Sequence, residues 1–188
     1  MKQNDLRVIK TKKAIRDTIE SMILEKDLNK ITVKELTEKA NIHRKTFYLH
    51  YSSIKELFEE IMHEKALLYY HEIDRIDSRM PMEEINKVFF TFLEQQQDFF
   101  KKMILSNSYQ EITNKIFILN LQHNRNRYNP YQHLTNQQQE MINNYLVNSS
   151  LSFYRQWINS GKIMTLDEII EFTSNILCNG INSIIKAS

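Results

Sequence analysis

Glycine and proline are scarce in this chain, with 2 of each in 188 residues. These two residues supply most tight turns. Their shortage argues against a sandwich or barrel of short strands and against glycine-rich phosphate loops. Long helices with few connections are the economical reading. The single cysteine, Cys178, excludes an intrachain disulfide and sits in an apolar helical stretch, where it reads as a small buried residue. No apolar run approaches the roughly 18 residues of a membrane-spanning helix. The first residues, Met1-Lys2-Gln3-Asn4-Asp5, lead into no signal-like apolar block. A cytoplasmic protein without membrane contact is expected. His63, His71, His123 and His133 lack metal-ligand spacing with one another or with Cys178, so neither metal nor cofactor is expected. No nucleophile–base pair, phosphate loop or metal motif is present, and the expectation is that the chain is not an enzyme.

Hydrophobic residues make up 41% of the chain, enough for a substantial core. The formal net charge of +2 hides an asymmetry. Residues 1–50 hold 12 Lys and Arg against 7 Asp and Glu, a net of +5, and residues 51–188 hold 13 against 16, a net of −3. A basic N-terminal part suits a polyanionic partner.

Within it lies ITVKELTEKANIHRKTFYLHYSSIKEL, residues 31–57. Thr32 with Glu35 three residues on forms a capping box. Leu36 and Ala40 share one helical face. Asn41 stands at a sharp break, where a residue tolerating positive φ is needed. A second helix over Arg44–Tyr51 turns Phe47 and Tyr51 inward at i, i+4. Arg44, Lys45 and Tyr48, and more obliquely Thr46 and His50, are left on the other side. Arg and Lys can read guanine edges or hold phosphates, whereas Tyr, Thr and His mainly hold phosphates. This is the chemistry of a helix-turn-helix that enters a DNA major groove.

The residues Ile31-Thr32-Val33, Leu36, Ala40-Asn41-Ile42, Thr46-Phe47-Tyr48, His50-Tyr51 and Lys55-Glu56-Leu57 resemble the DNA-binding domain of the TetR family of bacterial regulators. Three positions depart from the family's pattern: Asn41 replaces a usual glycine, His43 a small capping residue, and Ile54 a lysine whose neighbour here is Lys55. The resemblance implies an all-α fold of about nine helices. Residues 1–53 would form a three-helix DNA-binding domain, and residues 54–188 a helical effector-binding and dimerisation domain. It implies a homodimeric repressor on a pseudo-palindromic double-stranded DNA operator, released by a small-molecule effector. Lys34, Arg44 and Lys45 are then candidates for base edges, and Thr32, Thr46, Tyr48, His50 and Lys55 for phosphates. Two alternatives stay open: a regulator acting through a protein partner or as an activator, and a helical interaction module without DNA binding.

Helical periodicity fills the remainder. The first helix, 8–25, turns Val8, Ile15, Ile19, Met22 and Ile23 inward. A fourth, from Ile54 to about Asp77 behind Ser52-Ser53, buries Leu57, Phe58, Ile61, Leu68 and Ile76. Pro81 starts the next, to about Gln97; a short helix at 99–105 and a further helix at 109–124, the latter with Leu119 inward, precede a loop over 124–133. Thr135 with Gln138 and Thr165 with Glu168 make capping boxes for helices over 136–159 and 166–185, and Gly161 ends the first. Both long helices carry apolar residues on more than one face, with Met141 and Tyr145 on one and Phe172, Ile176, Ile181, Ile184 and Ile185 on the other. A wide apolar arc must bury more than one side, which fits dimerisation through this pair. Phe89, Phe92, Met103, Tyr109, Phe117, His123, Tyr154 and Trp157 are the candidates for an effector pocket.

Overall fold

The computed structural model describes the backbone of residues 3–75, 77, 79 and 81–185, and side chains within 6–180 of these. Among the described residues there are nine α-helices and no strand: α1 Gln3–Glu25, α2 Val33–Lys39, α3 Arg44–Tyr48, α4 Ile54–Asp74, α5 Met82–Glu94, α6 Asp98–Leu105, α7 Gln110–Arg127, α8 Asn136–Asn159 and α9 Leu166–Ile185. Single 3-10 turns lie at Leu28–Lys30 and Asn107–Tyr109. By compactness the chain divides into two units, Met1–Lys65 with Gln97–Met103 and Ala66–Gln96 with Ile104–Ser188. The division falls inside α4. The first half of that helix belongs with α1 because Leu57, Phe58, Ile61 and Met62 are buried there and Glu60 and Glu64 pair with Arg16.

The helix starts follow from side-chain caps. Thr32–Glu35 and Thr135–Gln138 form reciprocal capping boxes. At α9, the Glu168 N–H donates to Thr165 Oγ1, and the Thr165 N–H and hydroxyl donate to Glu168 Oε2. Ser53 Oγ accepts from the Glu56 N–H at the start of α4. Each such cap contributes about 1 kcal/mol. Two ends share one solution. After α2, the Asn41 N–H bonds to Glu38 O and the Ile42 N–H to Thr37 O. After α8, the Gly161 N–H bonds to Ile158 O and the Lys162 N–H to Trp157 O. Both are Schellman motifs, which need a left-handed residue just past the helix. Gly161 supplies it at φ 78°, and Asn41 does so at φ 52°.

In the first unit Ile15, Ile19, Met22 and Ile23 of α1 meet Leu36, Phe47 and the start of α4 in a core without solvent exposure. Phe99, Phe100 and Met103 are also buried in this unit. In the second unit α5 packs against α9 and α7 against α8. Asn86 on α5 donates to Thr173 Oγ1 and Ser174 Oγ on α9, at 2.9 Å each. Beneath the end of α8, the Trp157 indole N–H donates to Met164 O at 2.8 Å.

Several expectations are corrected. Val8 is 40% exposed, because the first turns of α1 bury nothing over 6–10. Leu68 is 50% exposed, since the buried stripe of α4 runs Phe58–Met62–Ala66–Tyr69–Ile73 and passes one residue away. Leu119 is 46% exposed for the same reason, the stripe of α7 running Thr113–Ile116–Phe117–Asn120–Asn124. One residue is about 100° around a helix. Helix α3 stops at Tyr48 instead of Tyr51, because the His50 N–H bonds to Phe47 O and tightens the last turn. Helix α7 runs on to Arg127, whose guanidinium donates to Ile73 O at 2.7 Å. Ile76 and the side chains of Ile181, Ile184 and Ile185 lie outside the described residues.

Tyr51, 3% exposed, donates its hydroxyl to Glu60 Oε1 at 2.8 Å, and Lys12 reaches Glu60 Oε2 at 3.0 Å. Burial pushes the Glu60 carboxyl up, but the hydrogen bonds from Tyr51 and Lys12 and the charges of Lys12 and Arg16 outweigh it and hold it below its ordinary 4.5. A depressed folded value stabilises above the unfolded one, and that contribution is lost as pH falls through the folded value. Tyr51→Phe should therefore cost about 1.5 kcal/mol at neutral pH, the low end for a bond to a charged group, and the difference should shrink below pH 4.5. Urea unfolding of both proteins across pH checks this.

Candidate functional site

Helices α2 and α3 with their connection present one exposed surface. Phe47 and Tyr51 hold α3 from beneath at 0% and 3% exposure, with ring centroids 5.8 Å apart. Arg44, Lys45 and Tyr48 are exposed, and Thr46 and His50 half-buried. Lys34 and Thr32 are exposed on α2 and its cap, and Lys55 is exposed near the start of α4.

Charge pairing separates this surface from the body of the unit. Lys12 pairs with Glu60, Arg16 with Glu60 and Glu64, Lys26 with Glu35, and Lys39 with Glu25. The side chains of Lys34, Arg44 and Lys45 meet no carboxylate among the described residues. The carboxylate of Glu35 on α2 is committed elsewhere. The Glu35 carboxyl is held down to about 2 by hydrogen bonds from Lys26 and Thr32, so it stays ionised and bound. Both donors of Thr32 go to Glu35 Oε2, and a phosphate at Thr32 would compete with that carboxylate. Lys55 lies 3.8 Å from Glu59 and is 79% exposed, a loose surface pair that contributes little. His43, the residue before α3, makes no side-chain cap bond. Leu49, which the sequence pattern did not single out, is 80% exposed beside Tyr48.

A second feature lies in the unit of residues 66–96 and 104–188. Stripes of five helices surround a cavity of ≈ 580 Å³, its opening included. Tyr69 and Ile73 come from α4; Met82, Ile85, Asn86 and Phe89 from α5; Phe117, Asn120, Leu121 and Asn124 from α7; Leu146, Val147 and Ser150 from α8; Leu177 and Cys178 from α9. Of the eight pocket candidates, the structure places Phe89 and Phe117 on its wall, their ring centroids 5.3 Å apart. Phe92 packs edge-on against Tyr69 at 5.0 Å, behind the wall. Tyr154 and Trp157 pack with Phe90, and Tyr154 donates to Glu94 at 2.9 Å. His123 stacks on Tyr70 at 4.2 Å and bonds to Asp74 at 3.0 Å. Tyr109 is buried at the start of α7, and Met103 is buried in the other unit.

The wall carries no charged side chain. It carries three buried amides instead: Asn86, Asn120 and Asn124, at 6%, 2% and 7% exposure. Oδ1 of Asn86 and Oδ1 of Asn120 are buried without a hydrogen-bond partner. Each unmatched acceptor costs about 1–3 kcal/mol. These residues were missed, although Phe117, Asn120 and Asn124 share one helical face and signal amides on a core stripe.

Residues 15–61 match the family model described as "Bacterial regulatory proteins, tetR family", and residues 81–179 match that described as "Transcriptional regulator C-terminal region". The chain belongs to the TetR family. It is 39% identical over 62 residues to the uncharacterized HTH-type transcriptional regulator YxbF of Bacillus subtilis (strain 168), a match covering 32% of this chain and 16% of that protein. The fold is similar to a TetR transcriptional regulator from Streptococcus agalactiae 2603V, with TM-score 0.69 and 23% identity over 93% of this chain and 97% of that one. It is also similar to a putative fatty acid metabolism regulator of Clostridium perfringens, with TM-score 0.62 and 18% identity over 89% of this chain and 97% of that one.

In this TetR-family regulator the helix-turn-helix turn is made by Asn41 in the left-handed region. Asn41→Gly should leave stability within a few tenths of a kcal/mol of wild type. Asn41→Val should cost about 1–3 kcal/mol, since a β-branched side chain is strained there. Thermal unfolding distinguishes the two. Asn120→Leu removes an unmatched buried acceptor beside open space and should raise stability by about 1 kcal/mol, seen as a higher thermal midpoint.

Proposed function

We propose that the protein is a homodimeric repressor that holds a pseudo-palindromic operator and releases it when a small molecule enters the cavity. The observation that carries the DNA part is the cationic face of Lys34, Arg44 and Lys45. It stays unneutralised, while Lys12, Arg16, Lys26 and Lys39 of the same unit are paired with carboxylates. On this reading residues 1–53 are the DNA-binding part and residues 54–188 the effector and dimerisation part. Lys34, Arg44 and Lys45 approach base edges. Thr46, Tyr48, His50 and Lys55 hold phosphates, with Thr32 doing so at the cost of its bond to Glu35. Leu49, 80% exposed beside them, suits a thymine methyl.

Dimerisation is supported by the outer faces of the last two helices. Met141 and Tyr145 on α8 are 66% and 43% exposed, and Phe172 and Ile176 on α9 are 48% and 43% exposed, each pair at i, i+4. A two-fold pair would present α3 to half-sites about 34–36 Å apart. The effector step is supported by α4, which lines the cavity through Tyr69 and Ile73 and continues into the helix-turn-helix unit through Leu57, Phe58 and Ile61. A ligand shifts the equilibrium only by binding one position of α4 better than another.

Selection of bound duplexes from a random pool should return an inverted repeat; recovery of no enriched sequence sinks the DNA reading. On that repeat, Arg44→Ala should relax preference at one base pair per half-site by about 1–3 kcal/mol. Lys45→Ala should lower the salt slope by about 1 if it holds a phosphate, and relax sequence preference if it reads a base. Tyr48→Phe should weaken all sequences alike, and unchanged affinity removes its assignment.

A further inference from the structure

Helix α9 carries a glycine that its own unit does not require. We infer that Gly180 is where α9 crosses the α9 of a second copy, the two backbones approaching closely at the two-fold axis. This rests on the homodimer reading above and names its central contact.

The two glycines of the chain have different reasons. Gly161 ends α8 at φ 78°, a conformation in which other residues are strained. Gly180 lies inside α9, Leu166–Ile185. Apart from proline, glycine is the least favourable residue for a helix interior. Packing within the unit does not demand it, since a Cβ at Gly180 would meet no atom of the described residues within 4 Å. The position is exposed, on one face with Ile176 and Phe172 at i−4 and i−8. A glycine unfavourable to its helix and unneeded by its own unit points to a backbone approaching from outside. Packed helix axes stand about 8–10 Å apart according to the side chains at the contact, and glycine at the crossing gives the short end of that range.

Charge identifies the occupant as a second copy. From Phe172 to Gly180 on α9 and from Met141 to Gln156 on α8 every exposed residue is uncharged, in a chain of which 26% is charged. Arg155 in that stretch is half-buried and donates to Ile104 O at 2.6 Å. The exposed acids of α9, Asp167, Glu168 and Glu171, stay in its first two turns. A two-fold axis sets a surface against itself, so a charge near the axis meets its own sign. A surface that pairs with its own copy must be neutral at its centre, whereas one that pairs with a different protein can match charge with opposite charge. Ile142 and Leu146 of α8 pack in one cluster with Leu177 and Cys178 of α9, which sets the exposed Tyr145 level with the turn from Ile176 to Gly180. Aromatic side chains, which interface cores favour, thus flank the glycine along α9 and across from it on α8.

Two variants of the full-length protein test this, by sedimentation across a concentration series and by non-reducing electrophoresis. The wild type should sediment as a dimer. Gly180→Leu has room within its own unit and should keep the helical circular dichroism, yet raise the dimer dissociation constant by roughly tenfold or more. Gly180→Cys should become a covalent dimer on treatment with diamide, because a disulfide needs Cα atoms within about 7 Å. The wild type, whose single Cys178 is 2% exposed, should not cross-link. A wild type that stays monomeric at every concentration removes the dimer reading and this inference with it. A wild-type dimer whose dissociation constant is unchanged in Gly180→Leu, or that does not cross-link in Gly180→Cys, leaves the dimer standing and overturns the crossing. The cysteine variant decides even if Gly180→Leu fails to fold.

Discussion

Glu60 gathers the hydroxyl of Tyr51, the ammonium of Lys12 and the guanidinium of Arg16. Through one carboxylate, α1, Tyr51 in the turn after α3, and α4 are tied together. Tyr51 and Phe47 form the inner face beneath α3, so the pose of that five-residue helix depends on this knot more than on its own backbone bonds. A helix this short has no independent stability. It also lacks a side-chain cap at His43. Its rigidity is tertiary, drawn from the aromatic pair below it and the anchored hydroxyl at its end.

The same knot sorts the charges. Lys12 and Arg16 on α1 would otherwise add to the positive face, but Glu60 and Glu64 absorb them. Lys26 and Lys39 are absorbed by Glu35 and Glu25. Lys34, Arg44 and Lys45 meet no carboxylate among the described residues, and Tyr48 and Leu49 add polar and apolar surface beside them. Arg7, Lys10 and Lys30 are likewise exposed and in no ion pair among the described residues. The pairing therefore lowers the positive charge along the later turns of α1 and leaves that of α3 intact.

Much of this was legible in the sequence, because caps and periodicity are local. Thr32–Glu35 and Thr135–Gln138 set helix starts within one turn, and Phe47 with Tyr51 marked the inner face of α3. Asn41 marks a left-handed turn in the sequence itself, because the chemistry of that position admits few residues. The misreadings share one cause. Leu68 and Leu119 are apolar and helical but one residue off the buried stripe, and periodicity does not say which of two adjacent apolar residues the neighbours cover. The cavity was less legible for a related reason. A stripe shows that a side chain is covered, and the choice between covering atoms and empty space depends on five helices at once. Tyr154 and Trp157 pack with Phe90, whereas the amides on the stripe of α7 line the cavity.

The amides also explain why the cavity persists. An apolar wall would tend to close, since filled space gains dispersion contacts on every side. Asn86 is pinned by its bonds to Thr173 and Ser174 on α9, and a side chain held in that way does not swing in to fill the space. The unit keeps Asn86 and Asn120 in place at the cost of two buried, unmatched carbonyl oxygens, about 1–3 kcal/mol each, a cost that close packing by apolar side chains would have avoided.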